Sequence, residues 1–203
     1  MESPQLLVIA GCNGAGKSSY SRILSPEGIA VFDYDKHFLE IYSSIISTDF
    51  QDQMAHNKTF QKLETQIDQA IEAGKSFAYE TNFNSDPLHW PLIFKAKGYV
   101  VNMIYFCLNS VEEAQKRVAI RVENGGHFVP DNEIIIRFNA GYSNLDESFG
   151  FFDTLHLFNS STYGKAPEYC LTIQNGELVK KANLPVFLED LTPRLYKQVF
   201  KKI

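Results

Sequence analysis

Residues 11–19 read Gly-Cys-Asn-Gly-Ala-Gly-Lys-Ser-Ser, and Gly11, Gly16, Lys17 and Ser18 fill the pattern GxxxxGKS. Before the stretch lies the short apolar run Leu6 to Ala10, bounded by Pro4, with the length of a buried parallel strand. After it, Lys17 to Leu24 has the composition of a helix until Ser25, Pro26 and Gly28 interrupt it. Between a strand and a helix, this pattern is a phosphate cradle. Backbone N–H groups turn inward around phosphate oxygens, the helix N-terminus adds its dipole, Lys17 reaches the β- and γ-phosphates, and the Ser18 hydroxyl ligates Mg²⁺. Gly11, Asn13, Gly14, Ala15, Gly16, Lys17, Ser18 and Ser19 are therefore the candidate ATP-binding residues.

Working outward, a second strand is expected at Ile29 to Asp33, and further strands at Phe77 to Thr81, Tyr99 to Leu108 and Thr154 to Phe158. Helical material separates them: two helices within residues 36–73, one over 111–122, one from Pro130 to about Ser148, and one from about Pro185 to Lys201. A short polar hairpin is expected around Asn175 and Gly176. The alternation predicts an α/β fold, a three-layer P-loop NTPase sandwich on a mostly parallel sheet of five or six strands. Gly125 and Gly126 break the helical pattern, so residues 117–137 are expected to form a helical lid.

At 203 residues, 44% of them hydrophobic, the chain suits one P-loop kinase domain spanning 1–203. A net charge of -5 lacks the basic surplus a nucleic-acid backbone demands. Cys12, Cys107 and Cys170 are few, odd in number and without metal-ligand spacing, as in a reducing compartment. The N-terminal residues carry no signal or membrane-spanning pattern, so the expectation is a cytoplasmic protein.

Several polar residues are placed for chemistry. Asp33 and Asp35 follow the second strand on the sheet edge that carries the phosphate loop. Strand alternation would project both to one side, Asp33 toward the metal and Asp35 as the base for a substrate hydroxyl. Capping of the next helix is the other reading of these aspartates. Glu80 ends the third strand, where a carboxylate either binds substrate hydroxyls or holds a metal-bound water, and Asn82 stands beside it. Arg117 and Arg121 are four apart on one helix, and Arg137 follows the glycine break, a set that could meet transferring phosphate. Glu112 and Glu113 offer Arg117 an alternative partner. His127 in the glycine loop either touches phosphate or substrate, or fixes the loop through backbone carbonyls.

Together, GCNGAGKSS, Asp33-Tyr-Asp35, FAYETNF, the strand KGYVVNMIYFCL, the segment RVAIRVENGGHFVP and Arg137 resemble the zeta-toxin family of P-loop kinases, in its broad uncharacterised branch. The resemblance implies ATP-dependent phosphoryl transfer, with Asp35 in the position of the catalytic base, Glu80 in the substrate-binding position and Arg121 among the phosphate-contacting arginines. Toxins of the family phosphorylate UDP-N-acetylglucosamine and carry Gly-Thr after the strand-ending Glu, where this chain has Thr81-Asn82-Phe83.

The expected activity is transfer of the γ-phosphoryl group of ATP, with Mg²⁺, to a hydroxyl of a metabolite such as a sugar or nucleotide sugar. Lys17, Asp35, Arg121 and Arg137 would be catalytic, Asp35, Glu80, Asn82 and His127 substrate-binding, and Ser18 and Asp33 metal-binding. A nucleotide-dependent binding module, plain ATP or GTP hydrolysis, and a toxin acting on UDP-N-acetylglucosamine are the competing readings. The expected partner is a small-molecule acceptor; an antitoxin-type protein partner is compatible with the sequence but not indicated by it.

Overall fold

A computed structural model describes residues 3–200. Its centre is β1 (Gln5–Ala10), in which Leu6, Val8, Ile9 and Ala10 have no exposed surface. Full burial of each large aliphatic side chain contributes about 1.5–3 kcal/mol, and burial on both faces explains the unbroken apolar run. β1 pairs in parallel with β3 (Phe77–Thr81) on one side and β4 (Val100–Cys107) on the other. β2 (Val31–Phe32) adds to β3, and β5 (Thr154–Asn159) to β4, both parallel.

The sheet has seven strands in the order β2-β3-β1-β4-β5-β6-β7, not the five or six expected. The surplus comes from the hairpin around Asn175 and Gly176, whose arms β6 (Glu168–Gln174) and β7 (Glu177–Lys181) extend the same sheet antiparallel to β5. The mostly parallel α/β architecture stands as read.

Among the described residues eight α-helices complete the layers: α1 (Lys17–Leu24), α2 (Tyr34–Ser44), α3 (Gln51–Glu72), α4 (His89–Ala96), α5 (Val111–Glu123), α6 (Asp131–Ser148), α7 (Phe187–Leu191) and α8 (Pro193–Phe200). The single C-terminal helix expected from Pro185 to Lys201 is two helices, because Pro193 cannot donate the backbone bond that would carry α7 onward. Lys201 and Lys202 lie outside the described residues. Among those described, no helix is long and apolar enough to cross a membrane.

Since β1 to β5 are parallel, their C-terminal ends open on one edge. There the chain leaves β1 as the glycine loop, β2 as Asp33, β3 as Asn82 and β5 as Ser160.

Candidate active site

The loop between β1 and α1 is shaped by glycines at two decisive points. At Gly11, with φ +144°, a Cβ would stand 2.6 Å from the Phe106 carbonyl of β4, so no side chain fits. Gly16 is the N-cap of α1 at φ 87°, left-handed backbone that glycine enters without a steric penalty. From the start of that helix, Lys17 Nζ donates to the carbonyls of Gly11 at 2.8 Å and Cys12 at 3.2 Å, and to Oδ1 of Asn82 at 2.9 Å. Three acceptors thus meet an ammonium's three donors. Burial lowers the Lys17 pKa, while Glu80 and Asp35 pull it back up.

Ser18 Oγ donates to Glu80 Oε2 at 2.7 Å. The contact follows from topology: β3 lies beside β1 with Ile9 opposite Glu80, so the end of β3 delivers its carboxylate to the first turn of α1. Glu80 is 9% exposed, and burial raises its pKa, against the lowering effect of the Ser18 hydroxyl. Asn13 is also buried, and neither polar atom of its side chain has a partner. Cys12, Cys107 and Cys170 are free and buried, and burial pushes the Cys12 thiol up to about 12.

Asp33 and Asp35 do not alternate along a strand. β2 stops at Phe32, Asp33 caps α2 by accepting from the Lys36 amide at 3.1 Å, and Asp35 stands in the first helical turn. The capping reading therefore describes Asp33, and no contact joins it to Ser18. Asp35 Oδ2 instead accepts from Arg121 Nη1 at 3.2 Å. Arg121 Nη2 donates to the His127 carbonyl at 2.9 Å, and its Nε is buried with no partner.

The other arginines separate. Arg117 donates to Glu113 Oε1 at 2.6 Å and the Ser161 carbonyl at 2.8 Å, and its guanidinium lies 5.5 Å from the Tyr163 ring. It braces α5 against the loop after β5. Arg137 pairs with Glu133 one turn below it on α6. The His127 ring meets Phe38 edge-on at 4.9 Å, and burial lowers its pKa. Its carbonyl, not its ring, restrains Arg121.

These residues surround one cavity of about 1270 Å³, lined from Gly14 to Tyr20, by Asp33 to Asp35, Glu80 to Asn82, Arg117, Arg121, His127 and Arg137. Gly11 and Asn13 are not part of its lining. Several lining residues are not picked out by the sequence reading: Asp52, His56 and Phe60 of α3 and Tyr163 after β5; Trp90 of α4 lines the cavity too. The i, i+4, i+8 spacing of 52, 56 and 60 was a legible signal. Phe60 passed for core, yet is 45% exposed.

The loop after Glu80 is held unusually. Phe83 is fully buried at φ 59°, a left-handed backbone that costs a non-glycine residue about 1–3 kcal/mol. Asn144 Nδ2 of α6 donates to the carbonyls of Phe83 at 2.9 Å and Asn84 at 2.7 Å. The turn is what aims Asn82 at Lys17.

A parallel sheet with a GxxxxGKS loop at its C-terminal edge, a carboxylate on the loop serine and arginines across the cavity define a P-loop kinase type of phosphotransferase. The family described as Zeta toxin matches residues 1–163, and the chain belongs to it. No protein with a curated description matches. Among solved structures, the AvrRxo1-ORF1:AvrRxo1-ORF2 complex with sulphate ions is similar at TM-score 0.72 and 15% identity, over 95% of this chain and 65% of that one. The PezAT chromosomal toxin-antitoxin system of Streptococcus pneumoniae is similar at TM-score 0.57 and 16% identity, over 98% and 89%. A chain of the Pnkp1/Rnl/Hen1 RNA repair complex follows at TM-score 0.55 and 20% identity; 75% of this chain spans about half, 47%, of that one. At these identities the likeness is one of fold.

Proposed function

We propose that this protein transfers the γ-phosphoryl group of ATP to a hydroxyl of a small molecule, with Asp35 taking the hydroxyl proton. The observation that carries the reading is the Asp35–Arg121 pair at 3.2 Å, which lines the same cavity as Lys17 and Ser18. A base candidate and a phosphate-seeking guanidinium wait beside the phosphate loop.

The residues fit a Mg²⁺-nucleotide. Lys17 holds three oxygen acceptors that phosphate oxygens can replace, and the Arg121 Nε lacks any acceptor. The Ser18 hydroxyl and the Glu80 carboxylate adjoin, as for a metal held by one hydroxyl, phosphate oxygens and waters ordered by a carboxylate. Among the described residues no group of three or more His, Cys, Asp or Glu could hold a metal ion. In this reading Glu80, not Asp33, serves the metal, and Asn82 steadies Lys17 instead of the substrate. Ser18 and, through ordered water, Glu80 would hold Mg²⁺, which would supply positive charge to offset that of the nucleotide phosphates. Arg121 moves from Asp35 to the phosphate, which frees the carboxylate to accept a proton.

The test compares wild type, Asp35→Asn and Lys17→Ala, incubated with ATP, Mg²⁺ and a cell-extract metabolite pool, by mass spectrometry. Wild type should yield a new phosphate ester. Asp35→Asn should lose about 10²–10⁴-fold in product while ATP binding is kept or strengthened, since Arg121 loses its ion pair and is free for the phosphate. Lys17→Ala should weaken both. Equal product from wild type and Asp35→Asn would remove Asp35 as the base; binding without any product would leave a nucleotide-dependent binding module.

A further inference from the structure

The part of the cavity away from the phosphate loop is furnished by the starts of α2, α3, α4 and α6, and its charges constrain the acceptor. Its carboxylates are Asp33, Asp35, Asp52, Asp86 and Glu133. The guanidiniums facing them, Arg121 and Arg137, are already ion-paired to Asp35 and Glu133. Arg117 is committed to Glu113, and Lys17 belongs to the phosphate loop. His56 and His89 lie 3.6 and 3.7 Å from Asp52 and Asp86, so even as imidazolium ions they would not stand free. A phosphate on the acceptor would need an uncommitted cation to meet it. Once Arg121 has turned to the nucleotide, Arg137 is the guanidinium left beside these carboxylates, and Glu133 holds it; Lys165 also lines the cavity, at the α1 end, where its carbonyl accepts from Tyr20.

The same region presents aromatic surface. Phe60 and Trp90 have ring centroids 6.4 Å apart, and His89 meets Trp90 edge-on at 4.5 Å. Phe60 is exposed and Trp90 half-buried against the core, and aromatic faces beside carboxylates recognise an apolar ring face and a cation together. Resting on the kinase reading above, we propose that the acceptor is a phosphate-free ring polyol bearing an ammonium group, of the amino-sugar or aminocyclitol class. Its ring lies on Phe60 and Trp90, its ammonium meets the Asp52 and Asp86 rim, and its reacting hydroxyl faces Asp35. The hydroxyl oxygen forms the new O–P bond as the β–γ bridging P–O bond breaks. Asp35 takes the proton, and ADP and a phosphate ester leave.

The experiment gives the full chain Mg²⁺-ATP with glucosamine, 2-deoxystreptamine, glucose, glucosamine 6-phosphate or UDP-N-acetylglucosamine, and reads kcat/KM with product mass. At least one of the two amines should exceed glucose by about tenfold, the worth of one charge-assisted contact, and both phosphorylated compounds should fall below glucose. The exposed pair Asp52→Lys with Asp86→Lys should lower the preference for the amine over glucose, read as the ratio of their kcat/KM values, about tenfold. Amines no better than glucose, an indifferent double variant, or a phosphorylated acceptor equal to its phosphate-free counterpart would overturn the assignment. If UDP-N-acetylglucosamine is phosphorylated and Asp35→Asn abolishes that, the kinase reading survives and the acceptor class falls. If neither these compounds nor the extract yields a product, both fall.

Discussion

The two ends of the cavity are built by different means. At the phosphate end the shape comes from one contiguous stretch: Gly11 closes against the Phe106 carbonyl, Gly16 opens α1, and Lys17 and Ser18 reach Asn82 and Glu80 at the end of β3. At the acceptor end nothing is contiguous. Asp35, Asp52, Trp90 and Arg137 come from four different helices, and their contacts are side chain to side chain. The first end is set largely by backbone shape and tolerates few changes; the second is a set of separately variable side chains, and in the proposed reading acceptor choice belongs to it.

The comparison breaks most sharply at Glu80, where the loop meets the sheet. Glu80→Gln keeps an oxygen to accept from Ser18 but removes the charge. Apparent Mg²⁺ affinity in ATP turnover should fall about 10–100-fold, as for other partners of a metal-ligating group. Stability should hold or rise at neutral pH, because burial makes the ionised carboxylate costly. A Mg²⁺ titration and a thermal melt decide it. A lower melting temperature with unchanged Mg²⁺ affinity would make Glu80 a structural residue.

This difference also explains what could be read from the chain. The GxxxxGKS loop, its strand and its helix sit together in sequence, so the phosphate end was legible almost residue by residue, as were the other parallel strands. The polar hairpin was legible as a hairpin, but nothing in Glu168 to Lys181 announced that it would join the main sheet. Asp33 and Asp35 were recognised as paired acids, yet a two-residue β2 followed at once by α2 replaced alternation with capping. Asn82 and Ser18 found partners set by strand order, β3 beside β1, which local pattern does not encode. Phe60 was hidden because an aromatic at helical spacing reads as core whether it faces a core or a cavity.

A smaller effect tests whether the two ends are mechanically joined. Gly141 lies on α6, and an added Cβ would stand 2.8 Å from the Asn82 carbonyl and 3.1 Å from Tyr105 Oη. Gly141→Ala must therefore push α6 or the loop that steadies Lys17. Overpacking costs about 1–3 kcal/mol, against a helix-propensity gain of up to about 1 kcal/mol. Urea unfolding should show net destabilisation, and KM for ATP should rise a few-fold. A stabilised variant with unchanged KM would show the loop free of α6.

The smallest effect belongs to His127, which reports on the acceptor end alone. Burial lowers its pKa first; Asp35 opposes this, while Arg121, His56 and Arg137 reinforce it. A histidine with a lowered folded pKa binds its proton more readily in the unfolded chain. Its contribution is therefore fully present above the ordinary value of 6.5 and shrinks as pH falls below it. His127→Asn removes that loss along with the edge contact to Phe38. The melting-temperature gap between wild type and variant should narrow from about pH 7.5 to about pH 5.5. His156, also lowered, is common to both proteins and cancels in the difference. A gap that widens on acidification would mean that the His127 imidazolium is stabilised in the fold, and would move this residue from loop support to the anion-binding side of the cavity.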